Sequence, residues 1–195
     1  MHSQEYTPLF VETCPLCVGV VTDTHVPDRN KRLPRQLLSA LQDIQPACIL
    51  HAGDISLVEV LTGLESIAPV MAVRGNRDFM LERRLPLHMR MLIGGVKVVL
   101  THGQGSLLRY LKDKYHYLKT GYDFKRYRRY FDLDFPDADL VVFGHTHTPV
   151  NRSIQKRHYF NTGAAYPCKS NHYQARIGRL LFTGVGQFEA STILF

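Results

Sequence analysis

The 195-residue chain carries 24 lysines and arginines against 17 aspartates and glutamates, a formal charge of +7 with its ten histidines neutral. An apolar share of 45% and a charged share of 21% exclude a disordered or fibrous chain. This length suits one domain, able to bury roughly 70% of its unfolded surface. The positive balance favours anionic partners but does not separate nucleic acid from a phosphorylated small molecule.

The amino-terminal stretch MHSQEYTPLFVETCPLC has no basic n-region and no long apolar run, so it does not read as a signal peptide. No segment approaches the length of a membrane span. The expectation is a cytoplasmic protein without membrane contact. Cys14 and Cys17 form a CPLC pair, which invites a redox or zinc reading. A lone pair that precedes a strand, with no second pair, is weak support for either chemistry. Cys48 sits in the apolar run ACIL and is expected in the core.

In chain order, VGVV (18–21) predicts a strand. Residues 34–43, PRQLLSALQD, place apolar side chains at helical spacing behind a proline suited to a first turn. ACIL (47–50) predicts a second strand and SLVEVLTGLES (56–66) a second helix. PVMAV (69–73), VKVVL (96–100) and DLVVF (139–143) complete the central strands. After residue 157 the runs HYFNTG, ARIGRLLF and GQFEASTILF predict antiparallel strands. No internal repeat or linker interrupts the pattern, which indicates one α/β domain in layers.

Each central run finishes in Asp, Asn or His, usually beside a glycine. VGVV leads to Asp23-Thr24-His25, ACIL to Gly53-Asp54, and PVMAV to Gly75-Asn76-Arg77-Asp78. VKVVL leads to His102-Gly103, and DLVVF to Gly144-His145-Thr146-His147. Asp and Asn are ordinary turn residues, and any one of these pieces alone means little. Turn chemistry does not call for four histidines at five strand ends. Carboxyl ends of strands in an α/β sheet line one edge, where ligands bind.

This ordered set resembles the calcineurin-like metallophosphoesterases, whose pattern is DxH, GD, GNH[DE], a histidine after a strand, and GHxH. It is most similar to the small YfcE-type phosphodiesterases, and NTGAAYP (161–167) resembles the NPGS-type turn of that group, with Thr162 in the place of proline. The resemblance implies a layered α/β sandwich of two mixed β-sheets flanked by helices. It implies a dinuclear metal-dependent phosphoesterase, a phosphoric ester hydrolase of phosphodiesterase type. Asp23, His25 and His147 would hold one divalent ion, and Asn76, His102 and His145 a second, with Asp54 bridging both. A bridging hydroxide would attack phosphorus in line. A nitrogen and oxygen donor set without thiolate fits Mn²⁺, the expected ion, as well as Fe, Ni, Co or Zn. Asn76, Arg77 and His102 are the candidate catalytic residues.

Three departures bear on function. Arg77 stands where the family has the histidine of GNH. A guanidinium cannot act as a general acid near neutral pH, but its donor fork can clamp a phosphate oxygen. The competing reading is a surface arginine paired with Asp78, itself expected to support the ligands without being one. GDISLVE lacks the arginine of the GDxxDR pattern, which argues against a serine/threonine protein phosphatase. Finally, residues 104–137 form an unusually long basic, tyrosine-rich insertion between His102 and His145. It reads either as a lid that grips a nucleotide or single strand, or as a helical pair with tyrosines inward and charges solvated; helix amphipathicity favours the second. His51 is expected to be a packed strand residue.

The expected substrate is a phosphorylated small molecule or a nucleotide, with nucleic acid an open alternative partner. Two competing functions remain: a nuclease or nucleotide hydrolase that uses the insertion, and a non-catalytic interaction scaffold of the same fold. All seven candidate ligand positions carry metal-binding residue types, which permits catalysis.

Overall fold

The structure, a computed structural model, describes residues 5–10, 14–78, 81 and 84–195. The amino-terminal leader reading falls partly outside these residues. Two mixed sheets pack face to face. One runs in the order β11-β10-β2-β3-β4 and the other β1-β5-β6-β7-β9-β8. The strands are β1 (Thr7–Leu9), β2 (Leu16–Val21), β3 (Cys48–His51), β4 (Val70–Ala72), β5 (His88–Ile93) and β6 (Val96–Thr101). They continue with β7 (Leu140–Phe143), β8 (Val150–Ile154), β9 (Arg157–Asn161), β10 (Arg176–Gly184) and β11 (Gln187–Leu194).

Alternation along each strand builds three apolar layers. On β7, Leu140 and Val142 point into the space between the sheets, where they join Val18, Val20, Leu50 and Leu100. Val141 and Phe143 point outward, against Tyr127, Phe131 and Phe135. Helices α1 (Arg35–Asp43) and α2 (Val58–Glu65) cover the outer face of the first sheet through Leu37, Leu41, Leu61 and Leu64. The insertion forms α3 (Leu107–Thr120) and α4 (Phe124–Asp134), and α4 covers the second sheet. Burying a side chain such as Phe131 contributes roughly 3 kcal/mol, so α4 is firmly anchored.

Several expectations need correction. Pro34 precedes α1 as an extended cap, not as its first turn. β10 and β11 are antiparallel, but β9 pairs in parallel with β7 and antiparallel only with β8. The insertion is helical, yet its tyrosines divide: Tyr127 is buried, whereas Tyr115 and Tyr117 are exposed. Cys48 is buried as expected, and all four cysteines are free thiols. Among the described residues no helix is long and apolar enough to cross a membrane.

Candidate metal centre

β2, β3 and β4 of one sheet and β6 and β7 of the other all run in parallel to a common edge of the sandwich. The seven candidate ligands follow the ends of these five strands. Five of them adopt the left-handed backbone region: Asp23 (φ 52°), His25 (47°), Asp54 (55°), His145 (68°) and His147 (54°). Each such residue costs on the order of 1 kcal/mol and persists only where its surroundings hold it. Backbone bonds supply that hold: Asp23 N donates to Gly53 O at 3.1 Å and His25 N to Asp54 O at 3.0 Å. His145 N donates to both oxygens of Asp23 at 3.1 Å. The strained turns break strand alternation, so His145 and His147 face different neighbours.

One group gathers on Asp23 and one oxygen of Asp54. His147 Nε2 lies 3.3 Å from Asp23 Oδ1, and His25 Nε2 lies 3.4 Å from Asp54 Oδ2 and 3.1 Å from His147 Nε2. The donor atoms of Asp23, His25, Asp54 and His147 all fall within 4.8 Å of one another. The other group gathers on Asn76 Oδ1, with His145 Nδ1 at 3.0 Å and His102 Nε2 at 3.2 Å. His102 Nε2 is also 3.3 Å from His145 Nδ1 and 3.4 Å from Asp54 Oδ1. Metal–ligand bonds of 2.0–2.2 Å imply ligand–ligand edges of roughly 3.3–3.6 Å in a tetrahedral site. The separations here, 3.0–3.4 Å, fall within that range or slightly short of it, and the donor chemistry suits divalent ions.

The surroundings orient the donors. His102 Nδ1–H donates to Ala52 O at 2.7 Å, which leaves Nε2 turned toward Asp54 and Asn76. Tyr166 Oη lies 3.2 Å from His147 Nδ1, the nitrogen away from Asp23. Asp78 accepts four backbone N–H groups: Asp54 (2.9 Å), Ile55 (2.8 Å), Ser56 (2.8 Å) and Gly75 (2.7 Å). It thereby ties the loop after β3 to the loop after β4. Gly75 passes so close that an added Cβ would stand 2.2 Å from Asp54 Oδ1. Any side chain there would displace the Asp54 carboxylate.

Burial alone would raise the Asp23 carboxyl, but the His147 imidazole outweighs it and holds the pKa below the usual range. Asp54 is likewise held low against its burial, chiefly by His102. His102 in turn is raised to about 9, because the Asp54 carboxylate overcomes the cost of burying its charge. His145 is pushed down to about 3 by burial.

His51 is fully buried, accepting from Gly53 N on Nδ1 at 3.2 Å, with Thr24 Oγ1 3.3 Å from Nε2. It is a packed strand residue that also fixes the ligand loop. The pairing of Arg77 with Asp78 does not occur. Asp78 is occupied by backbone donors, and the half-exposed Arg77 side chain lies 3.9 Å from Asp28. The Arg77 backbone N–H instead donates to Asp54 Oδ1 at 2.8 Å. Sequence reading missed Tyr166, whose hydroxyl meets His147, and Tyr110 and Tyr127, whose rings lie 5.8 and 6.2 Å from His145. The NTGAAYP turn signalled the first. Nothing local signalled the other two, which reach the site only through helix packing.

Comparison with known proteins agrees with this architecture. Residues 16–179 match the calcineurin-like phosphoesterase superfamily domain. A probable metallophosphoesterase of Methanothermobacter thermautotrophicus is 33% identical over 149 residues, 76% of this chain and 77% of the relative. A Vps29 single mutant from Entamoeba histolytica superposes with a TM-score of 0.69 at 21% identity, covering 92% of this chain and 99% of the other. A novel archaeal phosphodiesterase superposes at 0.64 with 20% identity, covering 92% and 100%. With its candidate ligands at strand ends, its two-sheet fold and this match over most of its length, the chain belongs to the calcineurin-like phosphoesterase superfamily.

Proposed function

We propose that this protein is a dinuclear metal-dependent phosphodiesterase. The observation that carries the reading is the division of Asp54: Oδ2 faces the Asp23–His25–His147 group and Oδ1 faces the Asn76–His102–His145 group. A carboxylate with one oxygen toward each group suits a bridge between two cations. When bound, such a pair supplies Lewis acidity and a water of lowered pKa, with Mn²⁺ the ion we favour.

The chain's own residues do the remaining work. Asn76, backed by the fully buried His102, holds the second group beside an open basin of about 670 Å³ that Arg74, Asn76, Arg77 and Lys114 line. Those cations attract a phosphate ester and orient it. The Arg77–Asp28 contact is a solvent-exposed pair worth at most about 1 kcal/mol, so little opposes rotation of the guanidinium toward a nonbridging oxygen. No general acid occupies the Arg77 position, so esters with good leaving groups should be preferred. The intact donor set permits catalysis, as a set with missing ligands would not.

The test is hydrolysis of aryl phosphodiesters and monoesters by purified protein, with elemental analysis, before and after EDTA and with Mn²⁺ restored. Metal-dependent turnover favouring the diester is expected. Full activity in protein free of metal would refute the mechanism.

A further inference from the structure

A second cavity, of about 240 Å³, opens beside His145 and His147 on the side away from Arg77. Its walls are tyrosines supplied by the insertion: Tyr110 and Tyr117 from α3, Tyr127 from α4 and Tyr122 between them. The Tyr110 ring meets His145 edge-on at 5.8 Å, and Tyr122 and Tyr127 stack at 6.0 Å. The aromatic wall therefore begins at the candidate ligands and runs outward. Tyr110 and Lys114 line both this cavity and the basic basin, so the two spaces meet over the same donor atoms. A volume at or below the lower end of ordinary ligand pockets suits a single planar ring system.

Two residues that line this cavity carry a buried polar atom without a hydrogen-bond partner, Asp113 Oδ2 and Tyr122 Oη. Asp113 is 3% exposed; its Oδ1 accepts from Tyr130 Oη at 3.3 Å, but its Oδ2 has no hydrogen-bond partner. No nearby cation hydrogen-bonds this oxygen: Arg109 pairs with Asp134, and Arg126 donates from Nη2 to Gly121 O while its Nε has no partner, although both charges act on Asp113 through space. A buried carboxylate oxygen left unbonded is costly and calls for a physical reason, and a ligand that supplies the missing donor is one.

We propose that the α3–α4 insertion forms a nucleobase subsite, in which the tyrosines enclose the base and the Asp113 carboxylate accepts one of its N–H groups. Resting on the phosphodiesterase reading, this makes the substrate class phosphodiesters with one nucleoside arm. Base stacking on aromatic faces is tolerant of sequence, whereas a carboxylate acceptor selects bases with an N–H donor on the inserted edge. Phosphate and the second ester arm would lie in the basin between Lys114 and Arg77.

Titration calorimetry of the Mn²⁺-loaded protein tests this with four probes: GMP, AMP, purine riboside 5′-monophosphate, which lacks the exchangeable N–H donors of the base, and ribose 5-phosphate. GMP or AMP should bind roughly ten-fold tighter than the purine riboside compound, from one hydrogen bond to a charged acceptor. That compound should in turn bind roughly ten-fold tighter than ribose 5-phosphate, from stacking. Asp113→Ala should erase the first difference and keep the second, and Tyr110→Ala should shrink the second; thermal melts establish that each variant is folded. Equal binding of all four probes, or differences that survive both substitutions, would overturn the subsite. Hydrolysis of methyl p-nitrophenyl phosphate is followed in parallel. If it fails while the nucleotide order holds, the catalytic reading falls and the subsite stands.

Discussion

Asp78 Oδ2 accepts the backbone N–H of Asp54 at 2.9 Å and that of Gly75 at 2.7 Å, so one buried carboxylate sets the distance between two ligand loops. Asp54 returns the relationship by accepting the N–H of Arg77 at 2.8 Å. The two loops thus position each other. Neither carboxylate keeps its geometry if the other is lost.

Asp78→Asn should therefore damage the site without touching a candidate ligand. An amide offers one acceptor oxygen and turns an N–H₂ toward backbone donors, so at least one N–H loses its partner. The cost should be about 2–3 kcal/mol of stability, since bonds to a charged acceptor are the strong ones. Urea denaturation of metal-free protein reads the stability, and Mn²⁺ titration reads the site. A variant unchanged in both would remove Asp78 from the account.

Asp54→Ala should lower metal content in both groups, because it removes the one side chain that faces each of them. His147→Ala should mainly weaken the group built on Asp23. Metal-to-protein ratios after equilibration with limiting Mn²⁺ separate the two outcomes. Undiminished loading of the Asp54 variant is incompatible with a bridging role.

The ligand-bearing strands are legible in the sequence because each is a buried apolar run that ends in a distinctive residue. β7, with all four residues buried, is such a run. β5 is not legible because Arg90 interrupts its apolar pattern; its guanidinium lies 5.5 Å from the Tyr6 ring and 5.2 Å from that of Phe135. β8 is an edge strand with only Val150 buried, so it carries no alternation to read. The residue types of the site were visible, but its left-handed turns were not. Asp and His are enriched at positive φ, but most of them do not adopt it, and tertiary bonds decide which ones do. The meeting of Tyr110 with His145 depends on how α3 crosses the sheet end, and no local pattern encodes that.

Metal-free protein should be most stable near pH 6.5. Burial depresses His51 to about 4 and His145 to about 3, and it also lowers His25. A folded-state pKa below the unfolded value near 6.5 means stability that is complete above pH 6.5 and lost as pH falls. His102, raised to about 9, behaves oppositely: its contribution is complete below pH 6.5 and lost as pH rises toward 9. The acid limb should be steeper, since His88 and His158, also lowered by burial, act there beside these three. His51→Leu should flatten that limb by about one proton, roughly 1.4 kcal/mol per pH unit, while lowering stability at pH 7 because Gly53 N loses its acceptor. Thermal melts in EDTA between pH 4.5 and 9 provide the curve. An acid limb unaltered in the variant would place the titration elsewhere.

Arg77 is where this chain parts from the family pattern, and its exposure limits what it can contribute. The side chain is 54% exposed beside an equally accessible Asp28, so its charge is partly screened and the pair itself adds little stability. If the guanidinium grips a nonbridging phosphate oxygen, Arg77→Ala should lower kcat/KM for every ester. In a dry site the loss of a charged donor reaches roughly 10²–10³. In this half-open basin about ten-fold is the reasonable expectation. Because the contact is to oxygens that do not leave, aryl and alkyl diesters should suffer equally. Arg77→His separates clamping from proton donation: an imidazole titrates near neutral pH and can protonate an alkoxide leaving group. The histidine variant should raise alkyl relative to aryl turnover even if both fall, with the gain confined to pH values below its pKa. Steady-state kinetics on both ester types from pH 5 to 9 measures this, and Asp28→Ala serves as the control for the salt bridge. If Arg77→Ala matches the unmodified protein on every substrate, Arg77 acts through its backbone N–H to Asp54 alone, and the clamp is wrong.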